Sequence, residues 1–240
     1  MKEVTRRDFF GLAASAGLGL SMAGILTGCN DTKVKSLDMA ALYPVYKDGV
    51  YVEKNFLHLI NKPGLGLSGA IVQNHLGLYH NYVENVNRAE REMATGNINE
   101  FSMKHLAFSL NGMALHDIYF PNMTTEKTER SHALNDAIND TFGSFDKYMN
   151  NLSELAMKVD GWSITAYNLL NGKLFNYALP NHSANFPNFV IPILALDVYE
   201  HAYVADFKKE GKIGYINTFK KIINWDLVSK RYEALKNCSL

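Results

Sequence analysis

The chain has 240 residues, 24 basic against 24 acidic, and is 47% hydrophobic and 12% aromatic. That apolar content suffices for one or two globular units with a substantial core. The balanced charge argues against a nucleic-acid protein, whose phosphate contacts show as a basic excess.

Residues 1–28 read as an address rather than as part of the fold. Thr5-Arg6-Arg7-Asp8-Phe9-Phe10 is a twin-arginine signature, followed by a small, apolar stretch from Gly11 to Ile25 that is too short to span a bilayer as a mature helix. Leu26-Thr27-Gly28-Cys29 resembles the bacterial lipobox, in which the cysteine thiol is diacylated and the preceding peptide bond is cut. The expectation is a chain exported and lipid-anchored at the bacterial cell envelope through Cys29, on its periplasmic or outer face. Cys238 is then the one other cysteine, so an intramolecular disulfide between mature residues would have to use the acylated position and is not expected.

Residues 29–66 form a polar tether and an arm punctuated by Tyr43-Pro44, Asp48-Gly49 and Lys62-Pro63-Gly64, with a short helix expected around Glu53 to Ile60. Within 67–123, Ser68 can cap a helix reaching about Met93, and Asn99 to Tyr119 forms a second one before Pro121, giving an antiparallel pair. Within 124–240, His132–Thr141 and Phe145–Met157 read as helices. Strand patterns follow over Trp162–Leu170, Leu174–Leu179 and the run ending at Leu196, with Asn171-Gly172 as a hairpin turn. Tyr199–Lys209, Ile213–Ile223 and Trp225–Leu235 return to helix. The expected class is α+β: an all-helical N-terminal half containing the helical hairpin, then a C-terminal α+β half around a three-stranded antiparallel sheet.

The most informative segment is Asp197-Val198-Tyr199-Glu200-His201-Ala202-Tyr203, which follows the apolar run Phe189 to Leu196. Asp197 and His201 lie one helical turn apart, so a carboxylate and an imidazole can converge on one ion, whereas an unpaired buried Asp would carry a heavy desolvation cost. An Asp capping a helix start, with a His packed on its own, is the competing reading of the pair.

This wording resembles the D-x-W-E-H-A-Y signature of the iron/manganese superoxide dismutases. Phe108 to Phe120, Ser68 to Asn87, Phe142-Gly143-Ser144-Phe145, Gly161-Trp162, Asn171 to Leu174 and Asn224-Trp225 also fall in that family's order. The resemblance implies four ligands, His75, His116, Asp197 and His201, holding one iron or manganese ion per subunit, with iron slightly preferred, and superoxide as substrate. The first ligand has an alternative: about eight residues separate it from the gateway tyrosine in the family, whereas His75 to Tyr82 is seven, so an ungapped alignment from Tyr82 puts Asn74 there. His75 is preferred, with one residue deleted through loss of a wide π-type turn.

Family members offer a glutamine to the ion's solvent ligand from either of two places. Here those places hold Gly112 and His182, which is similar to a His-bearing branch of the family, and the imidazole is expected to occupy the space beside Gly112 and hold a proton near neutral pH. Trp162 matches a pocket tryptophan, and Glu200 the acid that bridges to the ligand histidine of a partner subunit, which implies a homodimer or a larger assembly. The funnel pair is rebuilt as Tyr79 or Leu78 with Val204, a second wall tryptophan is Ile164, and the aromatic after the second-ligand helix is Phe120. These departures leave a catalytically weak metal-binding lipoprotein as the alternative to an active enzyme.

Overall fold

The computed structural model describes residues 42–236. The export signature at Arg6 and Arg7, the lipobox Cys29 and Cys238 lie outside the described residues.

The arm departs from expectation. Asp48 and Gly49 both take positive φ, at 53° and 82°, which suits the tight turn of a two-residue hairpin. They join β1 (Val45–Lys47) to β2 (Val50–Val52) in antiparallel register, with Tyr46 opposite Tyr51. The helix expected over Glu53 to Ile60 shrinks to a 3₁₀ turn at Leu57–Leu59. The first half is therefore not all-helical. A two-strand ribbon is too short to be read by alternation and is stable here because it leans on α1, where the Asn87 side chain accepts the Tyr51 N–H and donates to the Tyr51 carbonyl.

The helix pair forms as its caps dictate. α1 (Gly69–Ala94) starts at Ser68, whose hydroxyl accepts the Ile71 N–H at 3.2 Å. α2 (Glu100–Tyr119) starts in a capping box between Asn99 and Ser102. The last turns of α2 are buried on nearly every side, since the helix lies between α1 and strand β5. α3 (His132–Phe142) ends at Gly143, with φ 82°, and α4 (Phe145–Lys158) begins at once from the Ser144 cap.

β3 (Trp162–Asn168) is the centre of a three-stranded antiparallel sheet, flanked by β4 (Leu174–Leu179) and β5 (Val190–Asp197). Its register sets the site: Trp162 stands opposite Leu179 on one side and Asp197 on the other, so the pocket tryptophan and the acid share one end of the sheet. The continuous helix expected from Tyr199 to Lys209 is not formed. α5 covers Glu200–Tyr203 alone, and the chain then bends, with the Asp206 carboxylate accepting the Ser68 N–H at 2.6 Å. That bond ties the segment to the start of α1. α6 (Gly211–Lys221) and α7 (Trp225–Lys236) close the fold.

Candidate metal centre

Four elements deliver the four candidate ligands: α1 brings His75, α2 His116, the end of β5 Asp197, and α5 His201. One donor atom from each falls within 4.8 Å of all the others. His75 Nε2 is 3.0 Å from His116 Nε2 and 3.1 Å from Asp197 Oδ2, while His201 Nε2 and His116 Nε2 stand 3.3 and 3.6 Å from the same oxygen. Donors about 2.1 Å from a shared ion are separated by roughly 3.0 Å at right angles and roughly 3.6 Å at 120°, so these spacings suit one ion with more than three ligands. Asn74, the alternative first ligand, is exposed, whereas His75 is buried, and α1 runs through this region as one unbroken α-helix.

In His116 and Asp197 the remaining polar atom is already engaged in a way that leaves the donor aimed inward. His116 Nδ1 is 2.6 Å from the Gly112 carbonyl, to which it donates, so the lone pair sits on Nε2. Asp197 Oδ1 accepts the Tyr199 N–H at 2.9 Å, which reserves Oδ2 for the cluster. Burial pushes the His75 and His116 imidazoles down and keeps them neutral, the form a ligand needs. Burial also opposes ionisation of Asp197, but hydrogen bonds from His201 and His75 outweigh it and hold the carboxyl well below the usual carboxylate range.

Next to the cluster lies His182, fully buried with no hydrogen-bond partner on either ring nitrogen, and Trp162 Nε1 is likewise buried and unpartnered. Buried polar atoms are almost always satisfied, so this pair points to a ligand or solvent within the site. The His182 ring packs 6.1 Å from His116, 5.9 Å from Trp162 and 5.0 Å from Tyr82, centroid to centroid. Burial lowers its pKa to about 4. The ring is therefore neutral at physiological pH and offers one N–H, in place of the titrating proton expected from the sequence.

Tyr82 is half-buried between His116 and His182. Tyr79 does not line an open funnel: its ring lies over His116 at 6.2 Å, and its hydroxyl donates to Asp117 and accepts the Lys54 N–H. The alternation of faces along α1 explains this, because Tyr79 falls on the buried stripe with His75 and Val83. Leu78 is half-buried, Phe120 and Ile164 are core residues, and Val204 and Glu200 are exposed. Sequence reasoning missed two residues here. Asn111 donates through Nδ2 to the His182 carbonyl at 2.8 Å, and the Tyr199 ring meets the His182 ring edge-on at 5.4 Å. Both adjoin residues already singled out, but no spacing rule connects either to residue 182.

Comparison with known proteins agrees with this geometry. The family model for iron/manganese superoxide dismutases, C-terminal domain, matches residues 130–231. A protein named "Superoxide dismutase [Mn]" from Mycobacterium avium is 34% identical over 178 residues, covering 70% of this chain and 86% of its own. "Superoxide dismutase [Fe]" from Aquifex pyrophilus is 35% identical over 161 residues, covering 63% of this chain and 75% of its own. With the ligand cluster, the sheet and the extent of these matches in agreement, the chain belongs to the iron/manganese superoxide dismutase family and is an enzyme of that class.

Proposed function

We propose that His75, His116, Asp197 and His201 hold one iron or manganese ion per subunit and that the enzyme uses it to convert superoxide to oxygen and hydrogen peroxide at the bacterial cell envelope. The observation that carries this reading is the convergence of three imidazoles and one carboxylate within 4.8 Å. Such a donor set suits iron or manganese and carries a single negative charge. When bound, the ion supplies the one-electron redox chemistry that the side chains lack.

The chain's own residues do the rest. The Gly112 carbonyl fixes the His116 tautomer, and the Tyr199 N–H fixes the Asp197 carboxylate. Aromatic rings of Tyr119, Phe120 and Trp162 wall the ligands and limit water. His182 and Trp162, whose rings pack against His116, carry unpaired polar atoms through which a small anion and its proton can be held. Relatives named for manganese and for iron match at similar identity, so iron, the first choice here, is tested by elemental analysis of natively purified protein alongside a superoxide assay of the same sample. Activity that does not follow bound iron or manganese would overturn the reading.

Export and anchoring rest on Arg6, Arg7 and Cys29. Cys29→Ser should move the exported protein from membranes to the soluble fraction, and replacing Arg6 and Arg7 by lysines should leave precursor in the cytoplasm. Glu200, exposed at the start of α5 beside His201, is proposed to bridge to the ligand histidine of a second copy in a two-fold dimer. Glu200→Ala should then dissociate at dilutions where the native dimer persists, as read by sedimentation.

A further inference from the structure

The two ends of the three-stranded sheet are unlike. At one end Trp162 pairs with Asp197 beside the metal centre; at the other, Asn168 pairs with Val190 and Tyr167 with Leu174. This far end is apolar and open to solvent. Leu170, in the turn between β3 and β4, is 67% exposed, and Phe189, just before β5, is 57% exposed. The Leu169 N–H donates to the Phe189 carbonyl at 2.9 Å, so one backbone bond brings the two positions together. Phe189 also takes a positive φ of 57°, which bulky side chains rarely adopt, and its exposure leaves little burial to offset the strain.

The neighbouring surface lacks charge. Residues 161–196 contain a single Lys, Arg, Asp or Glu, Lys173, in a chain that is 20% charged. Next to Phe189, Val190 and Pro192 line a crevice together with Tyr46, Tyr51, Tyr177 and Phe186, and none of the side chains lining it is charged. Half-buried tyrosines suit a boundary that is apolar on one side and wet on the other. Tyr43 and Pro44 line the same crevice, so residues 1–41, Cys29 among them, join the body of the protein beside this surface.

We propose that this end of the sheet is a membrane-contact surface, on which Leu170 and Phe189 enter the polar–apolar boundary of the bilayer that holds the Cys29 acyl chains. A tether by itself limits only distance, whereas a second contact also fixes orientation. Lys173, the one charge at the tip, adds attraction for anionic headgroups. From Asn168 back to Trp162 is six strand steps, roughly 20 Å. The contact therefore turns the metal end of the sheet away from the bilayer, toward the water in which a charged substrate is dissolved.

The inference rests on the anchoring reading above, and one experiment separates the two. The acylated protein, with Phe189→Trp or Leu170→Trp as a reporter, is reconstituted in phosphatidylethanolamine–phosphatidylglycerol vesicles with and without brominated acyl chains, which quench indoles that reach them. The native Trp162 and Trp225 are buried and give a constant background. Both reporters should shift their emission to the blue on vesicles and lose intensity with brominated chains, whereas Ile98→Trp, at a site 65% exposed between α1 and α2, should do neither. Equal emission from both kinds of vesicle at positions 170 and 189, or equal quenching at position 98, would overturn the proposal. So would a blue shift that grows with protein concentration in the absence of lipid, which marks an interface between copies of the chain. Protein that did not float with vesicles would strike at the Cys29 anchor instead; the same reporters at raised vesicle concentration then decide the contact, quenching supporting it and its absence removing it.

Discussion

A Cβ placed on Gly112 would lie 2.9 Å from Nδ1 of His182, and 3.0 Å from the ring carbons of Tyr82. Glycine at this point of α2 is therefore the space in which the imidazole stands. Two residues far apart in sequence exclude each other's enlargement. Gly112→Ala should force His182 and Tyr82 outward, at a cost of about 1–3 kcal/mol typical of overpacking. We expect a lower unfolding midpoint together with reduced activity per bound ion; an unchanged value of both would show that the ring has another place to go.

His182→Ala should retain the ion, since the ring is not within the four-donor cluster, yet change activity strongly. His182→Gln should shift the ratio of activity between iron-loaded and manganese-loaded protein, because an amide donates at a different reach from a neutral imidazole. Reconstitution of each variant with each metal, followed by assay per bound ion, checks this. Wild-type behaviour with both metals would remove His182 from the site.

Asp197→Ala removes the one carboxylate on which three imidazoles converge, and the loss falls on stability as well as on binding. The ligands come from both halves of the chain, so the bound ion ties α1 and α2 to the end of β5. Bound metal should fall below about a tenth per subunit, and leaving the hydrogen-bond partners of this buried carboxylate unsatisfied should cost about 1–3 kcal/mol in the metal-free protein. Elemental analysis and chemical unfolding measure the two effects separately.

His80 gives a pH dependence away from the site. Its Nδ1 is 2.8 Å from a Glu53 oxygen, with Glu84 on its other side, and the Glu53 hydrogen bond raises its pKa above the ordinary value. A histidine pKa raised by folding adds stability that is complete below the unfolded value of about 6.5 and is lost as pH rises through the folded value. His80→Ala should therefore lower the melting temperature more at pH 5.5 than at pH 9, and by a small amount, because the pair is exposed. A difference that is the same at both pH values would show that the pair adds nothing.

Local chemistry was enough to place the long helices and the three-stranded sheet. Ser68, Asn99, Ser131 and Ser144 each accept a backbone N–H at a helix start, and Asn171-Gly172 turns the hairpin between β3 and β4, because capping and turn geometry involve only neighbours in the chain. The spacing of Asp197 and His201 also marked a candidate ligand pair without any fold. What the tertiary structure decided was every relationship across the chain. The choice of His75 over Asn74 depends on which face of α1 meets α2, and the burial of Tyr79 against Asp117 on the same packing. The small hairpin at Asp48-Gly49 forms against α1, and α5 stops at Tyr203 where Asp206 binds the start of that helix. The hold of Asn111 on the His182 carbonyl is of the same kind. These contacts join residues tens of positions apart, and their energies come from burial and hydrogen bonds that exist only once the sheet and helix pair have closed on each other.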